Sequence, residues 1–164
     1  MKSVVLRRLV GEDWHIWRDL RLAALADAPD IFHGDLEEER ALGEGEWVRW
    51  TLGGVKTVAL CEQERVGVAA GRLRAERAGT AELYGMWVDP RFRGAGVAAM
   101  LAQDVLAWAR ERGSEVVELW VIAGNGPAER LYRRLGFEAT GEQEFHASIP
   151  GLSKYVMARR TDFG

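Results

Sequence analysis

The chain has 164 residues, enough for a single domain with a core of its own. No apolar run approaches the roughly 18 residues of a membrane span, and a formal charge of −3 gives no global attraction to nucleic acid. A lone cysteine, Cys61, excludes an internal disulfide and a Cys-pair zinc site; within "VALCEQ" it reads as a small buried hydrophobe.

Along the chain, "SVVLRRLV" predicts a first strand. Residues 1–25 interleave charges with tryptophans and lack the layout of a signal peptide, so a cytoplasmic domain is expected. From Asp13, a candidate N-cap, Trp14, Trp17, Leu20 and Ala24 follow helical spacing as far as Pro29. A looser helix is predicted over roughly Glu44 to Leu52. "VKTVALCE", "RVGVAAGRLRA" and "TAELYGMWVD" read as three strands of an antiparallel meander, turning at Gln63–Glu64 and Arg77–Gly79. After Pro90 the period changes. Val97, Leu101, Val105 and Trp108 share one helical face that ends at Gly113. "EVVELWVI" reads as a buried strand, and Ala128, Leu131, Tyr132 and Leu135 as a second helical stripe closed by Gly136. "FEATGEQEFH" and "LSKYVMARR" supply two last strands around Pro150–Gly151. The strand–helix–strand portion calls for one parallel pairing near the centre of a mixed sheet.

The stretch "RFRGAGVA" places Gly94 and Gly96 where a helix is about to begin. A helix N-terminus offers unpaired N–H groups and the positive end of the macrodipole, and glycine lets the backbone approach a bulky diphosphate. A Rossmann site would need its strand first in a βαβ unit, whereas this strand ends a meander, which argues against a dinucleotide-binding oxidoreductase. A P-loop is excluded because no Gly-Lys-Ser/Thr follows. Standing alone, two glycines at a strand–helix turn are more often structural than ligand-binding.

A second segment changes that balance. Arg91–Phe92–Arg93–Gly94–Ala95–Gly96 fits the pattern Gln/Arg-x-x-Gly-x-Gly/Ala. One helix and one strand later, Asn125, Ala128, Leu131, Tyr132, Gly136 and Phe137 fit Asn-x-x-Ala-x-x-Leu-Tyr-x-x-x-Gly-Phe. With both segments the chain resembles the GCN5-related N-acetyltransferase (GNAT) superfamily over nearly its whole length. The resemblance implies an α/β fold, with a mixed, mostly antiparallel sheet of about seven strands, about four helices, and a splay between the fourth and fifth strands. It also implies acetyl-CoA as cosubstrate without a metal, and direct transfer to a primary amine on a small molecule, peptide or protein. A catalytically weak acyl-CoA-binding or sensing module is the other reading. The expected partner is the amine acceptor, with neither nucleic acid nor membrane, and a homodimer is left open.

By the same resemblance, Arg93, Gly94, Ala95, Gly96, Val97 and Ala98 wrap the pyrophosphate. Met86, Trp87 and Val88 pair through their backbone with the pantetheine arm, and Asn125 hydrogen-bonds that arm, although it also suits a helix N-cap. Tyr132 is similar to the general acid that protonates the departing thiolate, a role a phenol of pKa about 10 can fill at neutral pH. Glu82, six residues before Val88, resembles the base of the histone-acetylating branch. Another branch places a glutamate five residues before the asparagine, where this chain has Trp120, so Glu118 and water stay open as alternatives. His15, His33 and His146 show no metal-ligand spacing. Trp14, Trp17 and Trp108 are expected in the core, while Trp47, Trp50, Trp87 and Trp120 are candidates for a pocket lining. Eight acidic residues against one basic between Asp27 and Glu46 suggest either a solvated face or a rim that attracts cationic acceptors.

Overall fold

Seven strands form one sheet in a computed structural model that describes residues 2–29, 31, 34–145 and 149–162. They are β1 (Val4–Arg8), β2 (Val55–Cys61), β3 (Glu64–Leu73), β4 (Thr80–Val88), β5 (Val116–Ile122), β6 (Glu138–Phe145) and β7 (Ser153–Arg160). Their spatial order is β1-β2-β3-β4-β5-β7-β6. Every pairing is antiparallel except β4 with β5. The helices are α1 (Trp14–Asp27), α2 (Leu36–Arg40), α3 (Glu44–Leu52), α4 (Val97–Glu111) and α5 (Gly126–Arg134).

Two details differ from the sequence reading. The β2–β3 turn falls at Glu62–Gln63, both left-handed at φ 50° and 70°, one residue earlier than expected. Left-handed φ at both central positions gives the strand twist its matching turn, here without glycine. The second difference is α2, a fifth helix inside the acidic run. Asp35 caps it by accepting from the Glu38 N–H at 3.0 Å.

Alternation along the strands divides the core between the two faces of the sheet. On one, Val97, Leu101, Val105 and Trp108 of α4 are all buried against Ala59, Ala69, Ala81 and Leu83, as the helical stripe predicts. On the other, Trp17 and Leu20 of α1 and Trp47 of α3 cover Val58, Val68 and Ala70. Trp14 is only half-buried and carries the Arg18 guanidinium 4.9 Å over its ring. Cys61 is buried.

Gly71 on β3 sets how closely α4 approaches the sheet. A Cβ there would lie 2.8 Å from Val105 Cγ1 and 3.1 Å from the Trp108 ring. Gly71→Ala is therefore expected to destabilise the fold by about 1–3 kcal/mol, the usual cost of overpacking. Urea denaturation checks this; an unchanged midpoint would mean that α4 yields without cost.

Candidate active site

The parallel seam between β4 and β5 is short. Only Thr80, Ala81 and Glu82 pair, with Val116, Val117 and Glu118. Beyond that rung the strands part, so Leu83, Tyr84, Trp87 and Val88 keep β-partners on the β3 side alone. A bulge assists the divergence: the β3–β4 register shifts between Val68 and Ala70, next to Gly85 at φ 64°. The resulting cleft of about 1420 Å³ is lined by both strands, the start of α4, and α5.

At one end of the cleft lies the glycine turn. Gly94 and Gly96 both adopt φ 84°, and Gly96 caps α4 in the left-handed conformation. A Cβ on either would meet nothing within 4 Å, so their conformation, and not crowding by the protein, calls for glycine. The first intrahelical bond is Met100 N–H to Gly96 O at 3.1 Å, which leaves the preceding amides of Val97, Ala98 and Ala99 open, as at any helix start. Ala98 and Val97 line the cleft; Ala95 is exposed at the tip of the turn. The residues present therefore fit a diphosphate: free donors, a positive dipole end and room for the group.

Arg91 and Arg93 divide the work at this turn. Arg91 is held by Asp89 at 2.9 Å and Glu64 at 2.5 Å. Arg93 donates from Nε to Val88 O at 2.9 Å and from Nη2 to Asp27 at 2.7 Å. Asp27, at the end of α1, also accepts the Trp87 indole N–H at 3.0 Å. The Trp87 indole and the Arg93 guanidinium together hold the Asp27 carboxyl below its usual range.

Across the fork, Asn125 precedes α5 and lines the cleft. Its side chain makes no capping bond, so the amide is not consumed by the helix. Tyr132, two turns on, is buried and packs edge-on against Phe137 at 5.7 Å between ring centroids. No hydrogen bond engages its hydroxyl among the described residues, and burial pushes the phenol above its ordinary pKa. Tyr132 lines the cleft with its phenol in the protonated form.

Glu82 and Glu118 stand side by side at the last paired rung, both buried. Glu82 Oε2 accepts from Arg72 Nε at 2.9 Å and Nη2 at 2.5 Å, while among the described residues Oε1 has only the longer bond from Arg74 at 3.3 Å. Glu118 is paired with Arg77 and, at 3.7 Å, with Arg74. Ala81 and Leu83 face the α4 side, so by alternation Glu82 and Tyr84 face the α1 side. Glu82 and Tyr132 therefore belong to opposite faces of the sheet and share a cavity only through the fork.

Several side chains around this site were not legible as site residues. Arg72 lies over the Tyr84 ring at 4.6 Å, and Trp50 donates its indole N–H to the Tyr84 hydroxyl at 3.0 Å. Lys56, fully buried, donates to the carbonyls of Trp50, at 2.6 Å, and Gly53, closing the C-terminal end of α3. Trp50, Trp87 and Trp120 line the cleft; Trp47 is instead buried and stacked on Trp50 at 5.3 Å. The acidic run is largely spent on local structure. Asp35 and Glu46 cap helix starts, Glu39 binds Arg21 at 2.9 Å, and Glu37 pairs with Arg40. His15 is exposed beside Trp14; His33 and His146 lie outside the described residues. No described helix is long and apolar enough to cross a membrane.

Residues 14–137 match the family model described as Acetyltransferase (GNAT) family. The human N-acetylaspartate synthetase is 38% identical over 102 residues, covering 62% of this chain and 33% of that protein. A mycothiol acetyltransferase of Thermobispora bispora is 31% identical over 135 residues, covering 77% of this chain and 43% of that protein. The chain thus spans less than half the length of these relatives. Among solved structures, a putative acetyltransferase of Salmonella typhimurium with its cofactor acetyl-CoA superposes with TM-score 0.75 at 20% identity, over 99% of this chain and 96% of that one. The forked sheet, the glycine turn at the start of α4 and the extent of the family match lead to one assignment: this chain belongs to the GNAT family of acetyltransferases.

Proposed function

We propose that the protein is an acetyl-CoA-dependent N-acetyltransferase that moves an acetyl group directly to a primary amine. The observation that carries this is one continuous cleft lined by the Gly94–Gly96 turn, Asn125, the Tyr132 phenol and the Glu82 carboxylate. The acetyl-CoA named with the Salmonella neighbour supports the same cosubstrate here.

When bound, acetyl-CoA supplies an activated acyl thioester. The open amides of α4 and the turn from Arg93 to Ala98 receive its pyrophosphate. The cleft-side backbone of Met86, Trp87 and Val88 pairs with the extended arm as an added strand would, and the free Asn125 amide holds the same arm. Tyr132 keeps a proton ready for the departing sulfur on one side of the fork. On the other side, Glu82 Oε1 retains capacity to receive the acceptor's ammonium. The amine must lose a proton before it attacks, and in this reading that proton leaves through Glu82 to solvent. The second proton, released as the amide forms, balances the one Tyr132 gives to the sulfur and regains through solvent.

Thiol release on mixing the protein with acetyl-CoA and a panel of amines tests the activity. Acetyl-CoA binding without release from any amine would leave a binding module in place of an enzyme. The cofactor site has its own test in Ala98→Glu. Ala98 is the second helical residue of α4, half-buried at the cleft edge, where a carboxylate suits the dipole; an unchanged melting temperature checks that the fold tolerates it. The same charge opposes a diphosphate, so acetyl-CoA affinity is expected to fall about tenfold or more, a matter of about 1.4 kcal/mol. Unchanged affinity by calorimetry would move the diphosphate elsewhere. Gly96 is the poorer position for this test, since φ 84° strains any side chain placed there.

A further inference from the structure

The acceptor side of the cleft offers little uncompensated negative charge to attract a simple cation. Five described carboxylates line the cleft, and each is ion-paired: Asp27 with Arg93, Glu39 with Arg21, Glu76 and Glu82 with Arg74, and Glu144 with Lys154. Of the acidic run, Asp27 and Glu39 are the described residues that line the cleft, and both are paired.

Arg72 is different. It lies beside the rung where β4 and β5 part, with Nε and Nη2 both directed at Glu82 Oε2. Its guanidinium rests on the Tyr84 ring. Nη1 has no partner among the described residues, and the side chain is 55% exposed in the cleft wall. A guanidinium fixed by a carboxylate on one edge and a ring on one face, with its outer edge open, is a ready receiver for a second carboxylate. Because the group is already held, little further ordering is needed on binding. Next to it, Glu82 Oε1 is engaged among the described residues by the 3.3 Å bond alone.

From this geometry we infer that the acceptor is a small zwitterion, a free amino acid whose carboxylate is received by Arg72 while its ammonium turns to Glu82. The inference rests on the acetyltransferase reading above and adds the class of acceptor. The Arg72–Glu82 pair presents a positive and a negative group side by side, and an amino acid presents the same two groups in the complementary order. A peptide N-terminus, whose α-carboxyl is bound up as an amide, gives Arg72 nothing to receive. Arg72 is a substrate-binding residue in this arrangement, and Glu82 positions it as well as meeting the ammonium.

The test uses the full chain with acetyl-CoA and three forms of each acceptor: the free L-amino acid, its carboxamide and the decarboxylated amine. The free acid is expected to exceed the other two in kcat/KM by roughly tenfold to a hundredfold. Arg72→Met is expected to remove that margin, chiefly through the acceptor KM, with the acetyl-CoA Kd unchanged. Arg72→Lys, which keeps the charge without the planar fork, is expected to recover part of it. The comparison on the unaltered protein does not depend on either variant folding. Amides or simple amines used as well as the free acids would overturn the inference while the acetyltransferase reading stands. Thiol release with none of them would overturn the inference, and the acetyltransferase reading would fall only if the wider amine panel released no thiol either.

Discussion

Tyr132→Phe is expected to lower kcat by about 10²–10⁴-fold, the usual contribution of a positioned proton donor. Phenylalanine keeps the edge-on packing against Phe137 and deletes only the hydroxyl. Since no described residue hydrogen-bonds that hydroxyl, its removal strands no buried partner, and unfolding stability is expected to stay within about 0.5 kcal/mol. Acetyl-CoA affinity is expected to stay close to that of the parent. The separation of kcat from both stability and affinity is what a proton donor predicts. Full turnover in the variant, with chemistry shown to limit the rate, would take Tyr132 out of the reaction and leave water as the proton source. A large drop in melting temperature would give the hydroxyl a structural role in place of the chemical one.

The second large effect concerns pH and Lys56. Burial lowers this amine to about 8 from the ordinary 10.5, and the Arg72 charge adds to the shift. Between those values the unfolded chain holds a proton that the folded chain has lost. Stability therefore rises with pH across the window and is level below it. From pH 7 to pH 9.5 the gain is on the order of 2 kcal/mol, and comparison with a variant lacking the amine cancels the onset of phenol ionisation. Urea unfolding of the parent and of Lys56→Met at both pH values measures the difference between their slopes. Parallel profiles would mean that Lys56 keeps its proton inside the fold, held by the two α3 carbonyls.

What the sequence made legible was local. The Gly94–Gly96 turn, the α4 stripe and the helical spacing from Asn125 to Tyr132 each sit within one element and its cap, so residue types placed them, while their roles came from the resemblance. The turn at Glu62–Gln63 was displaced by one residue because neither side chain advertises a left-handed backbone. Helix α2 was missed although Asp35 and Glu38 stand at N-cap spacing, since five residues are too few for a periodic stripe. Arg72 and Lys56 escaped for another reason. Both lie in strands and find their partners across the sheet or on a helix, in Tyr84, Glu82 and the end of α3. The fork itself came from family resemblance alone, because a three-residue seam and a bulge are facts of pairing between distant segments.

That seam has a mechanical meaning. With only Thr80–Glu82 joined to Val116–Glu118, the sheet divides into two leaves whose backbone hinge is short, while the core beneath α4 spans both. One leaf is β1 to β4, covered by α1 and α3; the other is β5, β7 and β6, to which α5 is tied by the Tyr155–Glu129 hydrogen bond, and α4 touches both. An arm lying between the leaves would bridge their inner margins and take load off the hinge. Amide hydrogens of Leu83–Val88 that face the gap would then exchange quickly in the free protein and slow on cofactor binding, while those facing β3 would barely change.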